Sequence, residues 1–141
     1  MPKKCVNDSI DILIKNKIKP KNAKVAVLGL GFRGEVTDTR LSPTYDVVKE
    51  FLKKGCTVSV HDPYIFEDKI LPKSVPLTKN LSEATKNADL VFISSDHKSY
   101  SKLNSKSFPK RKKPILFFDG RNILNSKLFS DELHTIGVGN N

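Results

Sequence analysis

Two periods of apolar residues alternate along this chain. In the first twenty residues Val6, Ile10, Leu13, Ile14 and Ile18 recur at helical spacing, which predicts an amphipathic helix closed by Pro20. "KVAVLGL" (24–30) is a continuous apolar run suited to a central parallel strand. "SPTYDVVKEFLKKG" (42–55) then reads as a helix. Ser42 is its N-cap, Pro43 its first residue, Val47, Val48, Phe51 and Leu52 its buried stripe, and Gly55 its end. "CTVSVHDP" (56–63) is a second strand stopped by Asp62 and Pro63.

Weaker and stronger segments follow in turn. "VPLTK" is a small strand, "NLSEATKNA" a helix capped by Asn80 or Ser82, and "DLVFISSDH" a third strong strand. "SYSKLNSKSF" is a weakly patterned short helix, "PILFFDGRN" a fourth strand ending in an Asp-Gly turn, and "HTIGVGN" a last edge strand. Strands alternating with helices predict an α/β fold: a Rossmann-like, doubly wound, mainly parallel sheet with helices on both faces, preceded by an N-terminal helix. No internal repeat interrupts this order. Residues 1–22 form a lead-in helix and basic linker, and 23–141 a single domain.

Composition narrows the partners. The 141 residues carry 25 Lys and Arg against 15 Asp and Glu, a net charge of +10 that favours an anionic ligand. The excess gathers in "KNKIKPKNAK" and "KSFPKRKKP", which carry prolines and flank strands, so they read as solvated connections. Only Phe108 interleaves them, too little aromatic surface for base stacking, and no nucleic-acid partner is expected. No apolar run approaches the roughly 18 residues of a membrane span, and the N-terminus lacks a signal-peptide pattern, so a cytoplasmic location with no membrane partner is expected. Cys5 and Cys56 form no CxxC and have no paired histidine, which predicts free thiols and no metal site.

Polar residues collect at the predicted carboxyl ends of the strands, where open α/β sheets bind ligands. "GFRGEVTDTR" brings Arg33, Thr37, Asp38, Thr39 and Arg40; "HDPY" brings His61 to Tyr64; "SSDH" brings Ser94 to His97; "DGRN" brings Asp119 to Asn122. Arg33, Arg40 and Arg121 therefore converge on one edge, and the planar guanidinium suits phosphate oxygens. His61 and His97 read as orienting or solvent-facing groups, since no nucleophile or metal-ligand pattern accompanies them. Gly29, Gly31 and Gly34 spell G-x-G-x-x-G, the turn that carries a dinucleotide pyrophosphate. Yet the helix signals come only at Ser42 and Pro43, after the Thr-rich stretch "EVTDTRL". A dinucleotide turn needs its helix to begin within the glycines, so that the amide dipoles face the phosphates. An NAD fingerprint is therefore not expected here.

With these residues assembled, the chain resembles the C-terminal, UDP-binding domain of the UDP-glucose / GDP-mannose dehydrogenase family. "GLGFRGEVTDTRLSP" is similar to the family's G-L-A-F-K-P-N-T-D-D-x-R-x-S-P at Gly29, Leu30, Phe32, Asp38, Arg40, Ser42 and Pro43. "GCTVSVHDPY", "ADLVFISSDH" and "DGRN" follow in the family's order. The resemblance implies an enzyme that oxidises a nucleotide sugar at C6 to the uronic acid with two NAD, working as a homo-oligomer. It implies that Phe32, Arg33 and Arg121 contact the UDP part of the substrate and that Arg40 reaches towards NAD held by another domain. Gly31 stands where the family has Ala, and Arg33 where it has Lys. The family's NAD-binding and central domains and its catalytic cysteine are not in this sequence. The chain therefore looks like an excised domain or a split-gene product, without turnover of its own. Two other readings stay open on the sequence: a self-contained NAD(P)-binding Rossmann domain, and a basic nucleic-acid-binding domain.

Overall fold

The computed structural model describes residues 2–31, 42–65, 67–103, 108, 115–121 and 134–137. Its elements run α1 (Pro2–Lys15), a 3-10 turn (Pro20–Asn22), β1 (Lys24–Leu28), α2 (Thr44–Lys53), β2 (Thr57–His61), β3 (Leu77–Thr78), α3 (Leu81–Thr85), β4 (Leu90–Ile93), α4 (Lys98–Ser101), β5 (Leu116–Asp119) and β6 (His134–Gly137). The six strands lie in the order β3-β2-β1-β4-β5-β6, and every pairing is parallel. The order reverses between β1 and β4, which makes their carboxyl ends the switch point of a doubly wound sheet.

The alternation of side chains along each strand separates two cores. Val25, Val27, Val58, Val60, Leu90, Phe92, Leu116 and Phe118 face α1 and α2, while Ala26, Leu28, Val91, Ile93 and Phe117 pack with Tyr100, Leu103 and Phe108. The sheet is thus covered on both faces, which is why its strands read as unbroken apolar runs. Phe51 of α2 is fully buried edge-on against Phe92, and such a side chain contributes about 1.5–3 kcal/mol by burial.

The helix ends follow local chemistry. Ser42 Oγ accepts from the Thr44 amide at 3.2 Å, and Pro43 is already helical, its carbonyl accepting from the Val47 amide. Gly55, at φ +89°, ends α2 with the amides of Gly55 and Cys56 turned back to the carbonyls of Leu52 and Phe51. Asn80 caps α3 through the Glu83 amide. The expected N-terminal helix is present but stops at Lys15, because Lys17 takes φ 63° and the Ile18 amide returns to the Leu13 carbonyl. Its buried arc also differs from the expected stripe. Flanked by both α2 and β5, α1 buries Ser9, Ile12 and Leu13 and leaves Ile14 56% exposed. The short fourth helix begins at Lys98, ahead of the predicted segment.

Candidate nucleotide-binding site

At the carboxyl edge the loops after β1, β2, β4 and β5 are tied together by buried polar side chains. Asp62 is the central one, fully buried. Its Oδ2 accepts from the amides of Leu30 (2.9 Å) and Gly31 (3.3 Å) and faces His97 Nε2 at 3.2 Å. Its Oδ1 accepts from the amides of Tyr64 (2.8 Å) and Ile65 (3.1 Å). Burial alone pushes this carboxyl up, but the hydrogen bonds from His97, Tyr64 and Leu30 outweigh it and hold the pKa below the ordinary 3.8.

The turn after β1 is shaped by a close approach. Gly29 adopts φ +103°, and a Cβ there would fall 2.3 Å from Ser95 Cβ. Ser95 Oγ donates to the Gly31 carbonyl at 2.6 Å, and Thr44 Oγ1 donates to the Gly29 carbonyl at 3.0 Å. Both histidines at this edge are buried. His61 Nε2 faces the Lys79 carbonyl at 3.1 Å, which requires a proton on Nε2 and leaves Nδ1 to accept from the Tyr100 hydroxyl at 2.8 Å. Burial pushes the His61 pKa down, so the imidazole is neutral. The sequence allowed either an orienting or a solvent-facing histidine; both serve as internal struts.

Arg121 lies at the end of β5, where the sequence put it. The carbonyl of Ile93 sits 2.8 Å from where a Gly120 Cβ would be, so only glycine fits this turn. Asp119 Oδ1 accepts from the Arg121 amide at 3.2 Å, and Arg121 Nη2 reaches Asp96 Oδ2 at 3.3 Å. The Arg121 side chain is 32% exposed at the mouth of the edge. Phe32, Arg33 and Arg40, with Thr37, Asp38, Thr39 and Asn122, lie outside the described residues.

This geometry bears on NAD directly. In a dinucleotide fold an acid at the end of the second strand is open to a ribose, and the glycine turn leads straight into a helix. Here both oxygens of Asp62 are committed to its own loops, and Ser95 fills the space beside Gly29. So engaged, Asp62 is not open to a ribose hydroxyl. Cys56 is buried with its pKa pushed up to about 11 by burial and then by Asp89, so it stays a thiol at neutral pH. The half-buried Cys5 is also a free thiol, and no metal-ligand cluster occurs among the described residues.

Two further hydroxyl groups, those of Thr44 and Ser95, are central to this edge. Ser95 belongs to the cluster after the third strand that the sequence singled out, whereas Thr44 lies unmarked at a helix start. The signal that points to Ser95 is Gly29, which combines a positive φ with a close approach of the Ser95 segment that leaves no room for a Cβ.

Fold and edge together define a nucleotide-binding domain of the doubly wound class. The profile of the UDP-glucose/GDP-mannose dehydrogenase family, UDP binding domain, matches residues 26–126. The chain belongs to this family and carries its C-terminal UDP-binding domain. It is 32% identical to the UDP-N-acetyl-D-mannosamine dehydrogenase of Methanocaldococcus jannaschii over 96% of this chain and 33% of that protein. It is 33% identical to UDP-glucose 6-dehydrogenase 2 of Arabidopsis thaliana over 74% of this chain and 27% of that protein. The crystal structure of NDP-N-acetyl-D-galactosaminuronic acid dehydrogenase from Methanosarcina mazei superposes with a TM-score of 0.87 at 29% identity, over 99% of this chain and 29% of that one. The chain thus spans about a third or less of the relatives it matches.

Proposed function

We propose that this chain forms one wall of the substrate cleft of an NAD-dependent nucleotide-sugar 6-dehydrogenase, holding the UDP portion of a UDP-hexose while its C6 is oxidised to the carboxylate. Phe32, Arg33 and Arg121 contact the UDP part, and Arg40 faces the NAD, which a separate domain binds. Residues 23–141 act as the binding unit and residues 1–22 as the helix and linker that lead into it. Neither Cys5 nor Cys56 is the nucleophile, so oxidation needs the complementary NAD-binding and central regions, in a cytoplasmic homo-oligomer. No helix among the described residues is long and apolar enough to cross a membrane.

The observation that carries this reading is Arg121. It extends from a turn fixed by Gly120 and Asp119, at the carboxyl edge beside the switch point, with its side chain 32% exposed. A guanidinium so placed suits a diphosphate. The test is a titration of the chain with UDP, UMP, NAD and ATP, followed by Arg121→Ala and Lys54→Ala. Lys54 is an exposed lysine at the far end of α2. UDP should bind weakly, because one wall buries little ligand surface, and NAD negligibly. Arg121→Ala should cost about 1.5–3 kcal/mol of UDP binding, the range for a charge-assisted hydrogen bond. Lys54→Ala should change it far less, because exposed charges are screened. Equal losses would mean diffuse attraction, and NAD binding tighter than UDP would overturn the reading.

A further inference from the structure

The four residues that follow β4 each turn towards a different segment. Ser94 Oγ meets Thr44 Oγ1 at 2.6 Å at the start of α2, and Ser95 Oγ donates to the Gly31 carbonyl at 2.6 Å. Asp96 Oδ2 lies 3.3 Å from Arg121 Nη2 after β5. His97 Nε2 lies 3.2 Å from Asp62 Oδ2, the carboxylate that grips the amides of Leu30 and Gly31. Resting on the reading of Arg121 as a UDP contact, we infer that Ser94–His97 is the positioning element of the nucleotide site. Asp96 sets the direction of the Arg121 guanidinium. His97, through Asp62, fixes the backbone of Leu30 and Gly31.

The chemistry of each contact supports this division. A guanidinium has five donors, so an arginine that engages a carboxylate with one nitrogen can still turn others to a phosphate. An arginine already held in place loses less conformational freedom when it binds, which favours affinity. His97 is buried, with its ring 5.3 Å from the rings of both Tyr64 and Tyr100. That packing restricts the imidazole and aims Nε2 at Asp62.

Charge and positioning make opposite predictions for Asp96. As a bare negative charge near the ligand, Asp96 would repel a diphosphate, and removing it would tighten binding. As a positioning group its removal weakens binding, and only while Arg121 is present. UDP affinity is therefore measured by calorimetry for the chain and for Asp96→Ala, Arg121→Ala, the double variant, His97→Leu and His97→Gln. Arg121→Ala should lose about tenfold or more, as expected for a charged hydrogen bond. Asp96→Ala should lose about threefold alone and nothing further in the Arg121→Ala background, the non-additivity of residues acting as one unit. His97→Leu should lose about threefold, and His97→Gln, whose amide N–H can donate to Asp62, should recover most of it.

A gain in affinity for Asp96→Ala, or a loss that persists undiminished without Arg121, overturns the inference while leaving Arg121 as a UDP contact. A folded His97→Leu with the parent affinity overturns the role of His97. Should His97→Leu fail to fold, the cycle between Asp96 and Arg121 still decides, since both side chains are part-exposed at 43% and 32%. No change in Arg121→Ala would remove the UDP reading of that residue and its positioning with it.

Discussion

The two edges of the sheet are closed by different means. At the amino edge the chain turns through backbone geometry: Lys17, Gly55 and Asn87 take positive φ as they end α1, α2 and α3. The side chains there, among them Lys17, Lys19, Lys21, Lys53, Lys54 and Lys86, are exposed. At the carboxyl edge buried polar side chains make the closure. Ser42, Thr44, His61, Asp62, Ser94, Ser95, His97 and Asp119 are all buried there, and they link four loops to one another. The first kind of edge leaves its side chains to water and tolerates change. The second holds its loops in fixed relation, and each loss exposes a buried group without a partner. A binding site belongs on the second kind.

The comparison can be broken first at its two glycines and its central carboxylate. Gly29→Ala should cost about 3–5 kcal/mol, combining strain at positive φ with overlap against Ser95. Denaturant unfolding measures this, and a loss below that of Gly55→Ala would contradict the picture of a rigid carboxyl edge.

Next in size is Asp62→Asn, which turns an amide N–H₂ towards backbone donors and should cost about 2–4 kcal/mol at neutral pH. The folded-state pKa of Asp62 lies below its ordinary value of 3.8. Its stabilisation is therefore complete above about pH 4 and is lost as pH falls through the folded value. Stability against pH should accordingly fall less steeply in the variant than in the parent over that acid window. Parallel curves would mean that Asp62 is not the carboxylate that ties the loops.

The smallest effect belongs to the amino edge. Gly55→Ala places a Cβ 3.1 Å from the Lys21 Cα at φ +89° and should cost about 1–2 kcal/mol, with UDP binding unchanged. Lost binding would show that the two edges are coupled.

Much of this molecule is written locally. The strand-forming runs at 24–30, 56–61, 90–93 and 115–118, the cap at Ser42 and Pro43, the stop at Gly55 and the cap at Asn80 each act within a few residues. Such signals fix the order and type of elements, and from them the doubly wound parallel class. The family's motif order and the place of Arg121 at a strand end were legible for the same reason. The limits of α1 were less so. Ile12 rather than Ile14 is buried because the helix meets both α2 and β5, and no window of sequence contains those neighbours.

The tertiary structure decided what the polar residues at the edge do. In sequence, Asp62 reads as the stop of a strand and one of a cluster of polar residues, and His97 as an orienting or solvent-facing ring. Only the pairing of β1 with both β2 and β4 brings Leu30, Asp62 and His97 within hydrogen-bond reach. The sequence by itself determined the elements and the edge that carries Arg121, because caps, periods and turns are short-range effects. The roles of Gly29, Asp62, Ser95 and His97 arise from contacts between residues more than thirty positions apart, which exist only once the sheet has assembled.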